Sequence, residues 1–290
     1  MPSLARAIDL SEGQRQDSRA MPRLRVGELE LAVETDGTGE PLLMLMGLGG
    51  DRHGWDLIRG ELARRHRLVL LDNRDAGESE EAHGPYGLGD MAADALGVLD
   101  QLGIERFHVL GASMGGAIAQ HLALQAPTRV ATLVLACTWG RTDGFLASIL
   151  ASWRLQVERL APEEFLAAQM PWAFTYRIFP TPPPELVAFQ EARRARGALL
   201  RSVAAYQRQV DACLAHDTLG LLPLLRTPTL LLVGEDDIFT PPRYARAVAA
   251  SLAGSEVLML PATGHGCFLE TPKVFADRVL RFLARHRLPA

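Results

Sequence analysis

Three polar side chains lying far apart in this 290-residue chain have the types and settings that acyl transfer requires. The first is Ser113, in Gly111-Ala112-Ser113-Met114-Gly115, which reads G-x-S-x-G. The apolar run Phe107-His108-Val109-Leu110 precedes it, and Gly116-Ala117-Ile118-Ala119-Gln120-His121-Leu122, with a helical pattern, follows. A strand, a tight turn with serine at its apex and a helix together expose the hydroxyl on a nucleophile elbow. The apex residue is held in a strained backbone conformation. Side chains two positions to either side would collide with the adjoining strand and helix, so glycine is required there. The competing reading is a glycine-rich turn whose serine merely caps the helix.

A serine hydroxyl is a poor nucleophile at neutral pH and needs a base, whose tautomer an acid must fix. Of the eight histidines, His265 has the fitting context. It follows the strand-like Leu258-Met259-Leu260 on a loop flanked by Gly264 and Gly266. His108 falls inside a strand and reads as a core residue; the others fall in loops or on helical faces. The orienting acid is sought in Glu235-Asp236-Asp237, after the apolar run ending Val233-Gly234. Neighbouring side chains diverge, so only one of the three can face His265; Asp237 is the first choice and Asp236 the second. A tetrahedral intermediate also needs fixed donors for its oxyanion. The backbone N–H of Met114 is one. The other is assigned to Leu48, with Gly49 next, in the loop Gly47-Leu48-Gly49-Gly50. A phosphate cradle there lacks the lysine and G-x-G-x-x-G pattern it would need.

These residues require a sheet to carry them. Residues 24–33 alternate apolar and polar, as in an antiparallel hairpin. Continuous apolar runs at 41–46, 67–71, 107–110, 130–136, 229–233 and 257–260 predict strands buried on both faces. Helical patterns fall between them at 56–65, 90–102, 241–252, with Thr240 as the predicted N-cap, and 272–285. The predicted class is α/β, a mostly parallel doubly wound sheet covered on both faces. From Arg141 to Leu219 the alternation stops. Helical stretches at 145–160, 163–169 and 184–214, split by Pro171 and the proline-rich segment at 180–184, predict a helical cap inserted over the carboxyl ends of the strands. The expected organisation is a mobile tail over residues 1–21, a core over 22–140 and 220–290, and a cap over 141–219. Candidate substrate contacts are Gly49, Trp139, Trp153, Trp172 and Cys267.

A net charge of −4 with scattered basic residues gives no reason to expect nucleic acid or an anionic membrane as partner. The first twenty residues have no apolar core of the signal-peptide kind, and the apolar runs are strand-sized. Three dispersed cysteines, Cys137, Cys213 and Cys267, have no metal-ligand spacing and fit a reducing compartment. A cytoplasmic protein without metal or cofactor is expected, with no prediction of oligomeric state.

The chain resembles the α/β-hydrolase superfamily over residues 22–288. The chain order Ser113, Asp237, His265 is that of the fold. Asp72-Asn73-Arg74-Asp75-Ala76-Gly77-Glu78-Ser79 and Gly234-Glu235-Asp236-Asp237-Ile238-Phe239-Thr240-Pro241 are similar to family motifs, and the spacing in the second selects Asp237. Met46-Gly47 stands where many relatives have histidine-glycine. Asp75 replaces the first glycine of D-x-R-G-x-G-x-S, as in esterases that act on methyl esters of polyketides. The segment from Thr240-Pro241-Pro242 onward is more similar to 3-oxoadipate enol-lactonases. The resemblance, with serine rather than aspartate at the elbow, implies a carboxylic ester or lactone hydrolase using an acyl-enzyme and no cofactor. The expected substrate is a small apolar ester or lactone, with water as co-substrate. Other triad chemistry on the same fold (C–C bond hydrolysis, peptide release, perhydrolysis) and a non-catalytic small-molecule binder are the alternatives.

Overall fold

The computed structural model describes residues 23–196 and 200–288; the predicted tail, residues 1–21, lies outside them. The strands are β1 (Arg23–Val26), β2 (Leu29–Asp36), β3 (Glu40–Leu45), β4 (His66–Leu71), β5 (Phe107–Ala112), β6 (Val130–Ala136), β7 (Thr229–Gly234) and β8 (Glu256–Leu260). They form one eight-stranded sheet in the order β1-β2-β4-β3-β5-β6-β7-β8. The hairpin β1–β2 and the β2–β4 pair are antiparallel. From β4 to β8 every pairing is parallel.

The continuous apolar runs arise because each parallel strand buries alternate residues on opposite faces. On one face Leu43, Leu45, Val109, Leu133, Leu135, Leu231 and Val233 pack with α2 (Leu88–Gln101) and α3 (Met114–Gln125). On the other, Leu42, Met44, Leu110, Val134, Leu230 and Leu232 pack with α1 (Asp56–Ala63) and α10 (Pro272–Ala284). Gly111 pairs with Leu45 on one side and Leu135 on the other, and Ala112 with Ala136. The register therefore ends the central strands at one level, and the loops that follow them emerge together.

Between β6 and β7 the chain runs through α4 (Gly144–Arg159), α5 (Pro162–Ala173), α6 (Pro184–Ala195) and α7 (Val203–Leu214). The two ends of this insertion meet in a bridge between Arg141 and Asp217, whose side chains form an ion pair at 2.9 Å. Asp143 caps α4 by accepting from the Leu146 N–H at 3.1 Å. Its carboxylate also receives Tyr244 Oη and Arg243 from α8 (Pro242–Ser251), tying the insertion to the core.

Two helix expectations are corrected. The stretch predicted over 184–214 is two helices, and Ser202 starts the second by accepting the Ala205 N–H at 3.0 Å. Pro171 does not split the preceding stretch: α5 continues through it to Ala173. Two residues from a helix end, proline removes only one intrahelical hydrogen bond.

Asp75 shows why glycine is not required at its position. It keeps the left-handed conformation, with φ 67°. Its buried carboxylate accepts from Arg208 at 2.6 and 2.8 Å, Tyr86 Oη at 2.7 Å and the Ala82 N–H at 2.8 Å. Backbone strain of about 1–3 kcal/mol is offset by charge-assisted hydrogen bonds.

Candidate active site

Ser113 links β5 to α3 with φ 54° and ψ −120°, a conformation that costs about 1–3 kcal/mol for a non-glycine residue. Its neighbours enforce it. The Ser113 N–H donates to the Ala136 carbonyl at 2.8 Å, and the Ser113 carbonyl accepts from Thr138 Oγ1 at 2.8 Å. A Cβ on Gly111 would strike the Gly115 carbonyl, and one on Gly115 would strike the Leu45 carbonyl of β3. The two elbow glycines are thus demanded by backbone approach. A Cβ on Gly47 would come 3.0 Å from Ser113 Cβ and 3.5 Å from its Oγ, so this glycine keeps the space before the hydroxyl open.

His265 stands on the loop between β8 and the single-turn α9 (Cys267–Glu270). Its Nδ1 lies 2.9 Å from Asp237 Oδ2. With the Nδ1 proton given to that carboxylate, Nε2 is left as the basic lone pair. Asp237 is buried and accepts three further hydrogen bonds: Phe239 N–H at 2.9 Å, Thr240 N–H at 2.8 Å and Thr240 Oγ1 at 2.9 Å. Burial alone would raise this carboxyl, but the facing imidazole and the bonds from His265 and Thr240 hold it below the usual carboxylate range. Asp236 turns outward, 3.3 Å from Arg177 Nε.

Thr240 is a residue whose place sequence reasoning missed. Its predicted capping role is not seen: Pro241 holds the N-cap position of α8, with no side-chain cap. Thr240 Oγ1 lies instead between Asp237 Oδ2, the Cys137 carbonyl at 3.0 Å and His265 Nδ1 at 3.1 Å. The capping reading was drawn from local sequence, whereas two of these partners belong to other strand ends.

The N–H groups of Leu48 and Met114 have no acceptor among the described residues. The Gly49 N–H, by contrast, donates to Gln209 Oε1 at 2.8 Å, and Gln209 Nε2 donates to the Arg74 carbonyl at 2.9 Å. Gln209, fully buried on α7, was not singled out from sequence because a glutamine on an amphipathic helix carries no local signal.

Ser113 and His265 line one cavity of about 210 Å³, walled by residues 46–50 of the core and by Trp153, Phe165, Trp172 and Phe239. Trp153 meets Trp172 edge-on at 6.4 Å, and Phe239 meets the His265 ring edge-on at 4.8 Å. Of the candidate contacts, Gly49, Trp153 and Trp172 line this cavity. Trp139 and Cys267 do not. Trp139 is buried beside His216, with Nε1 donating to Thr142 Oγ1 at 2.9 Å, because β6 ends pointing it under the insertion. Cys267 faces inward to Cys137, Sγ to Sγ 3.5 Å.

Cys137, Asp237 and His265 form the group of potential metal ligands found among the described residues, their donor atoms within 4.8 Å of one another. The set does not fit a cation. Cys137 is held protonated by its neighbour Cys267 and by burial, and Asp237 is engaged by four donors. No helix among the described residues is long and apolar enough to cross a membrane.

The model of the alpha/beta hydrolase fold matches residues 40–272. A protein of Azorhizobium caulinodans named "Putative carbamate hydrolase" is 30% identical over 262 residues, 90% of this chain and 98% of its own. A thermophilic esterase from Thermogutta terrifontis superposes with a TM-score of 0.80 at 28% identity, covering 93% of this chain and all of that one. The enol-lactonase from Burkholderia xenovorans gives 0.82 at 25% identity, covering 91% and 100%. With a sheet of this order, a serine elbow after β5 and a family match over most of its length, this chain belongs to the α/β-hydrolase family.

Proposed function

We propose that the protein is a serine hydrolase that cleaves a carboxylic ester or lactone through an acyl-enzyme. The observation that carries this reading is the Asp237–His265 hydrogen bond of 2.9 Å, opening onto the cavity that Ser113 lines. His265 Nε2 takes the proton of Ser113 Oγ as the oxygen attacks the acyl carbon. Asp237 fixes the tautomer and stabilises the imidazolium. The oxyanion is received by the N–H groups of Leu48 and Met114, in walls apolar enough to strengthen both bonds. His265 then passes the proton to the leaving alkoxide, which departs from an ester or stays tethered to the acyl group in a lactone. Water, activated by the same imidazole, releases the acid. No step calls for a cofactor.

The names of the esterase and the enol-lactonase among the similar proteins support the ester and lactone classes. The cavity is smaller than the roughly 300–1,000 Å³ of drug-sized sites, which favours a small substrate. Labelling with a fluorophosphonate is the direct test. Wild type takes one label, on Ser113, and hydrolyses short p-nitrophenyl esters. Ser113→Ala takes none and loses at least about 10⁴-fold in kcat/KM. Folded wild type that resists labelling would favour a non-catalytic binder.

A further inference from the structure

The cavity that holds Ser113 is walled mostly by apolar side chains, yet two polar groups in its lining have no partner. Gln169, on α5, buries both its amide oxygen and its amide nitrogen without a hydrogen bond. Buried side-chain amides are nearly always satisfied, so an amide with neither atom satisfied calls for an explanation. Arg193, on α6, lines the same cavity and makes no ion pair or hydrogen bond among the described residues. The other arginine of the lining, Arg196, is paired with Asp56 at 3.5 Å. The carboxylate of Asp51, also in the lining, lies beyond ion-pair distance of Arg193 and accepts the His53 N–H at 3.0 Å instead. Burial pulls the Arg193 guanidinium down from its ordinary range, with Asp51 opposing, so the cation is held partly desolvated. Gln169 and Arg193 also both line an adjoining cavity of about 300 Å³ and stand where the two spaces meet.

We infer that Arg193 and Gln169 form an anion subsite, and that the substrate is an ester or lactone carrying a carboxylate away from the scissile bond. This rests on the hydrolase reading above and narrows its substrate class. A planar guanidinium fork beside an amide N–H matches the two oxygens of one carboxylate. Arg193 is the one arginine of this lining without an ion pair among the described residues, and the Asp51 carboxylate in the same lining opposes more than one added negative charge, so the site suits a monoanion. A phosphate dianion there would leave one charge uncompensated, which a desolvated site does not tolerate. The Gln169 oxygen remains to accept from a hydroxyl or a water.

Matched esters differing only in charge test the inference, with the charge on either side of the reacting bond. On the acyl side, p-nitrophenyl hydrogen adipate is compared with its neutral methyl ester. On the alcohol side, 4-acetoxybenzoate is compared with methyl 4-acetoxybenzoate. In one of the two arms the wild type favours the charged member in kcat/KM. Arg193→Met lowers that charged-to-neutral ratio at least tenfold, Arg193→Lys restores part of it, and Gln169→Leu lowers it less. Added salt raises KM for the charged member alone. A ratio of one or below in both arms, or a ratio indifferent to Arg193→Met, overturns the inference. If none of the esters turns over, the hydrolase reading is in question and the subsite is read separately by thermal melting. Hexanoate, but not 1-hexanol, raises the Tm of wild type and leaves that of Arg193→Met unmoved; no shift in wild type overturns the subsite as well.

Discussion

Asp236 and Asp237 are adjacent carboxylates with opposite surroundings, and the difference sets what each can do. Asp237 is buried under four donors, one of them the His265 imidazole. Asp236 meets Arg177 near the surface. Replacing Asp237 by Asn keeps the shape but lets the imidazole take the wrong tautomer, so kcat/KM is expected to fall about 10⁴-fold. Asp236→Asn should stay within a few-fold of wild type. Steady-state kinetics on one p-nitrophenyl ester decides the matter, and equal losses would refute the assignment of the acid. Thr240→Val removes a hydroxyl that supports the same carboxylate. A hydrogen bond to a charged group is worth about 1.5–3 kcal/mol, so a loss of at least about tenfold is expected. Because the Asp237 pKa is depressed in the folded protein, its stabilising share is present above the ordinary carboxylate range. It is lost as pH falls through the lower folded value.

Helix α7 fastens the insertion to the loop that follows β3, which the proposed mechanism uses for its oxyanion donor. Over one turn it sends Arg208 to Asp75, Gln209 to the Gly49 N–H and the Arg74 carbonyl, and Tyr206 into the cavity wall. By occupying the Gly49 N–H, Gln209 helps fix which way the loop turns, while the preceding N–H, that of Leu48, has no acceptor among the described residues. Gln209→Leu strips both partners and lets the loop relax. Removing one oxyanion donor costs about 10²–10³ in kcat, so a displaced donor is expected to cost about 10–100-fold in kcat with a smaller change in KM. The rate of phosphonylation of Ser113 should fall in parallel. A variant changed only in KM would show that Gln209 merely shapes the pocket.

Three buried histidines and the half-buried His121 link the stability of the whole molecule to acid. His66, His108, His121 and His216 are all held below the ordinary imidazole value, each chiefly by burial. His216 is lowered furthest, to about 4, between His121 and the Trp139 carbonyl at the root of the insertion. The unfolded chain binds a proton there below about 6.5, while the folded chain does not until about pH 4. Stability is therefore complete above the unfolded value and declines as pH falls through that window, by about 3 kcal/mol for His216 alone. Urea midpoints measured from pH 7 to 4.5 should fall steeply, and His216→Gln should flatten the slope. A midpoint that does not move over this range would contradict the burial assigned to these rings.

Much of the fold was legible because its causes are local. Runs such as Leu42–Leu45 and Leu230–Val233 are apolar throughout since both sheet faces are covered, and that pattern is written in consecutive residues. The elbow was legible for the same reason: Gly111 and Gly115 answer clashes within a strand–turn–helix unit and its nearest strand. The roles of Thr240, Gln209, Trp139 and Cys267 were not, because each depends on which distant groups the strand ends and α7 bring within 3 Å or turn away. Asp75 shows both sides at once, since its departure from the family's glycine was visible, while the Arg208 that occupies it lies 133 residues further on. Sequence alone determined the strands and pointed to Ser113, His265 and one acid of Glu235-Asp236-Asp237, with Asp237 ranked first, as the candidates for acyl transfer. Only the tertiary structure decided which carboxylate meets His265 and, among the described residues, which N–H groups lack an acceptor and which cation faces the cavity unpaired, because hydrogen bonds and charge balance depend on distances in space that no local pattern encodes.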